Sequence, residues 1–155
     1  MPLSLEEISD RIEIQELLVA YSHAIDFRDW DALDDVFTAD AVIDYTEMGG
    51  TRGGLAETKA FLREALAGFS SFQHLAGTTA LRFEGDVAHG RTICHNPMVL
   101  GPGPGSDQPT RILLAGLWYR DVFVRTAAGW RIQERYEEKS YLQLLPPDAT
   151  APAQR

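Results

Sequence analysis

Two side chains in this sequence have the types and setting to move a proton, Asp26 and His74. Asp26 stands in "YSHAIDFRDWDAL" (21–33), between Ile25 and Phe27, about 40° around a helix from Ser22 one turn back. It flanks an apolar stripe, where a carboxylate loses hydration unless something pairs with it. The alternative is a helix-end carboxylate in water, or a cap for the turn at "FRDWD". His74 lies in "SSFQHLAGTT", where strand alternation groups it with Phe72, Ala76 and Thr78. An imidazole among such neighbours is a satisfied core histidine or a base. If the two side chains met, the carboxylate would accept from one ring nitrogen and fix the tautomer. The other nitrogen could then remove a proton from a substrate.

The remaining candidates are single residues. Tyr45, in "VIDY", is either a core tyrosine with its hydroxyl at the surface or a polarising group. Arg135, in "GWRIQER", has a parity problem: in a regular strand Trp130, Ile132 and Tyr136 share one face and Arg135 points the other way. That places it in solvent beside Glu134 and Glu137, and a bulge would be needed to bring it inward. Cys94 and His95 are neighbours on a strand and point to opposite faces, which is wrong for a nucleophile and its base. An inert buried thiol is the expectation. His23, His74, His89 and His95 show no metal-ligand spacing, so no metal site is expected. "GPGPG" lacks the Lys-Ser/Thr of a phosphate loop and reads as a hairpin connection.

Helices come first and strands after, the order of an α+β fold. "SLEEISDRIEIQELLVAYSHAIDFRD" opens with a capping box, Ser4 and Glu7, and sets Ile14, Leu18, Tyr21 and Ile25 on one face. A second, shorter helix begins with Asp29 or Asp31 as its cap and runs through "WDALDDVF". Residues 41–46 read as a strand that Gly49 and Gly50 close off, and 54–69 as a third helix. Four long strands follow, over 71–86, 87–100, 111–126 and 129–143, with tight turns at "EGD" and "AAG" and a longer loop at 101–110. A bent sheet wrapped by three helices leaves a cone-shaped hollow lined by alternate strand residues, hence one deep apolar pocket. Residues 1–145 make a single domain, and 146–155 a flexible tail.

Composition narrows the function. Hydrophobic residues at 45% and charged residues at 24% describe an ordinary globular domain. A net charge of −9 argues against a nucleic-acid surface, which would need clustered Lys and Arg, and against an anionic membrane surface. The sequence shows neither a signal peptide nor an apolar run long enough to span a bilayer, and its one cysteine fits a reducing compartment, so a cytoplasmic location is expected.

The order "YSHAIDFRDWDAL", "AVIDYTEMGG…RGG", "FQHLAGTTAL", "AGLWYRDVFVRTAAGWRIQER" resembles the SnoaL-like branch of the nuclear transport factor 2-like superfamily. Within it, the chain is most similar to the group holding scytalone dehydratase, bile-acid dehydratase and lindane dehydrochlorinase. The resemblance spans roughly 5–140 and implies a cystatin-like α+β barrel and a His-Asp dyad on Asp26 and His74. It further implies that Tyr45 polarises a substrate carbonyl and that Arg135 reaches the pocket. Two departures stand out: Ile25 replaces the tyrosine that precedes the aspartate in scytalone dehydratases, and their second histidine is unmatched, "CHNPM" offering Asn96 or Met98 instead. The expectation is therefore a lyase or isomerase without cofactor, acting on an apolar cyclic or polyketide-like molecule, with dehydration as its reaction. Tyr21, Ile25, Asn96 and Met98 would contact the substrate, and the protein would form a homodimer or larger homo-oligomer. The rival is a non-catalytic ligand-binding or assembly subunit, like the small subunit of a ring-hydroxylating dioxygenase. There Leu113, Leu117 and Tyr119 would form an outer face for a partner, and large side chains would fill the hollow.

Overall fold

In the computed structural model, which describes residues 2–101 and 107–147, Ser4 starts helix α1 (Leu5–Asp26) by accepting the Glu7 N–H at 3.1 Å. Only half of the capping box forms, because the Glu7 carboxylate pairs with Arg11 at 2.8 Å. Ile14, Leu18, Tyr21 and Ile25 are all buried, so the stripe read from the sequence is the face α1 lays on the sheet. The helix stops at Asp26, and Arg28 takes a left-handed φ of 57° to turn the chain. Its guanidinium donates to the Phe69 carbonyl at 2.6 Å and lies over the Phe72 ring.

The expected second helix is only a 3-10 turn, Asp31–Asp35, with Asp29 accepting the Ala32 N–H at 3.3 Å. Among the described residues two α-helices, not three, therefore wrap the sheet: α1 and α2 (Leu55–Ala65). The short run between Asp29 and strand β1 (Phe37–Asp44) leaves no room for more than a turn. Strand β1 begins four residues earlier than the sequence suggested and ends before Tyr45. α2 is shorter than 54–69, giving way after Ala65 to Gly68 and strand β3 (Phe69–Phe72).

One seven-stranded sheet holds β1, β2 (Arg52–Gly53), β3, β4 (Leu75–Glu84), β5 (Val87–Leu100), β6 (Arg111–Thr126) and β7 (Gly129–Leu144). Its order is β2-β1-β7-β6-β5-β3, with β4 also on β5, and only β1–β7 is parallel. Gly85 and Gly129, at φ 63° and 97°, close the two expected hairpin turns. The loop at 101–110 lies partly, and the tail at 146–155 mostly, outside the described residues.

Irregularities in several strand pairings curl the sheet, and three of them bear on the parity of the site. The strand expected over 71–86 is broken between Phe72 and Leu75, opposite Pro97 of β5. The Pro97 carbonyl accepts the Gln73 N–H at 3.2 Å, but proline has no N–H to return, so the ladder is interrupted there. A second slip, where Gly77 and Thr78 both face Ile93, leaves Thr78 exposed and turns Thr79 toward Thr92, against the expected alternation. In β7 the partner register jumps from Ile132 to Glu134, leaving Gln133 as an extra residue. Leu113, Leu117 and Tyr119, proposed for an outer face, point inward: Leu117 and Tyr119 are buried, and Leu113 lines the central cavity.

Candidate functional site

Helix α1 delivers Asp26 at its last residue, where the helix ends and the side chain is left to reach the β3–β4 break. The break between β3 and β4 delivers His74. The Asp26 carboxylate accepts the His74 main-chain N–H, Oδ2 at 2.9 Å and Oδ1 at 3.2 Å, and its Oδ1 also lies 2.6 Å from His74 Nδ1. An ionised carboxylate only accepts, so Nδ1 carries the proton and Nε2 presents its lone pair. Asn96 of β5 donates to that lone pair, Nδ2 to Nε2 at 3.1 Å, while its Oδ1 has no partner among the described residues. Rotating this amide would put Oδ1 on Nε2, so one residue can serve both the neutral imidazole and the imidazolium.

His74 opens onto a cavity of about 280 Å³ between α1, α2 and the inner face of the sheet. Its wall is mainly apolar, with Ile25, Phe61, Leu62, Met98, Leu113 and Leu117 among its members. That volume sits near the roughly 300 Å³ lower end of ligand pockets and suits a compound of one or two rings. All four residues named as substrate contacts, Tyr21, Ile25, Asn96 and Met98, line it, as does Tyr45. The Tyr45 hydroxyl is not at the surface: it lies 2.8 Å from that of Tyr21, both residues being buried. Burial pushes the Tyr21 phenol up to about 12 and the Tyr45 phenol well above its ordinary value, so both are neutral donors.

Arg135 departs from the solvated position that strand parity gave it. The extra residue Gln133 flips the strand, so Arg135 is buried and Tyr136 faces outward, where its hydroxyl bonds Glu47. Arg135 is absent from the cavity wall. It pairs with Asp121 of β6 through two 2.8 Å hydrogen bonds and lies 4.0 Å from the ring centres of both Tyr21 and Tyr119. Its charge thus backs the tyrosine that faces the cavity. Cys94 is buried, with a thiol that burial pushes up to about 11, and His95 points the other way; no nucleophile forms there.

The same bulge brings in Glu137, a residue that sequence reasoning left in solvent. Glu137 is 8% exposed and lines the cavity with His74. Burial pushes its carboxyl up to about 8, against the pull of Arg135 and with the help of Asp121. No pattern in "ERYEEK" marks it, because its inward position depends on one inserted residue two turns of the pleat away. The stability consequence has a definite sign. Between its ordinary value of 4.5 and about 8, the folded chain holds a proton that the unfolded chain has released. Each pH unit in that window therefore removes up to about 1.4 kcal/mol of stability. Urea midpoints at pH 5 and pH 8 are expected to show wild type losing stability relative to Glu137→Gln; parallel behaviour would exclude the shifted carboxyl.

The SnoaL-like domain matches residues 6–136. The chain belongs to the SnoaL-like family. An uncharacterized protein of Mycobacterium tuberculosis is 48% identical over 143 residues, covering 92% of this chain and 94% of its own. A solved structure from Novosphingobium aromaticivorans, provisionally described as an aromatic ring hydroxylase, is 31% identical over 89% of this chain and 94% of that one, with a TM-score of 0.76. A hexachlorocyclohexane dehydrochlorinase shares the SnoaL-like fold at a TM-score of 0.77 and 18% identity, covering 96% of this chain and 97% of that one. Among the described residues no helix is long and apolar enough to cross a membrane, and no cluster of three or more metal-ligating side chains is present.

Proposed function

We infer that this SnoaL-like protein is a lyase or isomerase in which His74, oriented by Asp26, abstracts a proton from carbon. The observation that carries the reading is the 2.6 Å contact between His74 Nδ1 and Asp26 at the edge of an apolar cavity. A base of this strength removes only an activated proton, so the substrate carries a C–H next to a carbonyl. The hydroxyls of Tyr21 and Tyr45 share one hydrogen bond, which leaves one phenolic proton to polarise that carbonyl as charge develops on its oxygen. Loss of a β-hydroxyl as water completes a dehydration; return of the proton to another carbon completes an isomerisation. The substrate is an apolar cyclic molecule, because the wall is mainly aliphatic and aromatic. An assembly subunit would have its hollow filled by large side chains, and this hollow is open beside the histidine.

The first step can be tested apart from any leaving group. In D₂O the protein is expected to accelerate deuterium exchange at the α-carbons of cyclohexanone, read by mass spectrometry. Asp26→Asn, which removes the charge and puts an NH₂ donor where one accepting oxygen was, no longer fixes the tautomer and should slow exchange by about 10²-fold or more. Exchange at the uncatalysed rate in both proteins would refute the general-base reading.

A further inference from the structure

Three carboxylates are buried among the described residues, and two of them are structural. Asp10 accepts from Arg125 at 2.8 Å and from the Trp130 indole at 3.0 Å, tying α1 to the β6–β7 hairpin. Asp121 is held by both arms of Arg135. Glu137 is the exception: no hydrogen bond reaches it from the described residues, and it faces the cavity that His74 faces. A buried acid without a partner is costly to the fold and is the mark of a group kept for a ligand.

The groups around it keep it neutral. Tyr21 of α1, Tyr45 after β1, and Tyr119 of β6 present phenols that burial keeps protonated. Cys94 of β5 is a neutral thiol, and Asp121 and Asp44 add negative charge. Arg135, on the same strand, is the one nearby cation, and its charge is already matched by Asp121 in a bidentate pair. The cavity therefore holds a base that can accept a proton and, on another strand, an acid that can give one.

We propose that Glu137 is the general acid of this site, delivering a proton to the oxygen that leaves the substrate. This rests on the lyase reading given above. As His74 Nε2 takes the proton from carbon, the C–H electron pair becomes the new C=C bond. The C–O pair departs with the hydroxyl oxygen, and the Glu137 proton completes a water molecule. Glu137 is left as carboxylate and His74 as imidazolium, and the water released carries the proton from one back to the other. Hydroxide is too basic to leave unaided, so a site with a base alone exchanges protons but does not dehydrate.

The test compares two leaving groups on one carbon skeleton. 3-Hydroxycyclohexanone and 3-chlorocyclohexanone both give cyclohex-2-enone, followed by its ultraviolet absorbance, but chloride departs without a proton. In Glu137→Gln, water loss is expected to slow about 10²-fold more than chloride loss. Because the readout is a ratio within one protein sample, the folded fraction cancels. Equal slowing of both reactions would overturn the acid role, and so would a wild type that exchanges the α-protons of cyclohexanone but releases no water. Loss of that exchange itself would instead strike the base, which separates failure of His74 from failure of Glu137.

Discussion

His74→Ala is expected to lower the rate of α-carbon exchange by about 10³-fold or more while leaving the fold intact. The two halves of that statement have different physical sources. Catalysis is lost because no other neutral nitrogen base lines the cavity; the tyrosines and Glu137 are protonated and Asn96 cannot accept a proton at neutral pH. The fold survives because Asp26 keeps a partner. Its carboxylate accepts the main-chain N–H of residue 74 at 2.9 Å, a bond that alanine preserves. The ring already borders open space, so its removal enlarges a cavity instead of creating one in solid core. Added imidazole should enter that space and restore part of the rate. A variant with normal exchange would remove the base from the mechanism, and one that fails to fold would show that the ring holds the strands together.

How much of this site could be read beforehand depends on whether local chemistry or chain register sets each position. Asp26 and His74 were legible because each is out of character with its own surroundings, and the stripe from Ile14 to Ile25 fixed the helix that carries Asp26. Tyr21 and Ile25 follow from helical periodicity, Asn96 and Met98 were named only through the resemblance, and all four reach the cavity. Arg135 and Glu137 were not legible as inward residues. Strand parity is a count, and one uncounted residue, Gln133, inverts the positions after it as far as Lys139. The β3–β4 break was hidden for a related reason: Pro97 lies across the ladder in β5, and only the pairing shows which N–H is missing. The second helix was an overreading of acidic residues that cap a turn as well as they cap a helix.

The second large effect is on stability. Asp121→Ala should cost about 3–5 kcal/mol, the loss expected when one member of a buried ion pair is removed. Both side chains of the pair have no exposed surface, so losing the carboxylate leaves a buried guanidinium without its counter-charge. The guanidinium would keep its two tyrosine faces at 4.0 Å, but a ring quadrupole returns only on the order of 2 kcal/mol to a desolvated cation and carries no counter-charge. Its Nη1 already lacks a hydrogen-bond partner among the described residues, so the orphaned charge has nothing else to turn to. In a chain of this size such a loss lowers the melting temperature by about 10 °C. The control is the double variant Asp121→Leu/Arg135→Met, which removes both charges and fills the space with apolar atoms; it should melt above the single variant. If Asp121→Ala alone cost less than about 1 kcal/mol, the guanidinium would have found water. Tyr21 would then rest on a hydrated layer, not on the dry cation–carboxylate pair that now backs its place in the cavity wall.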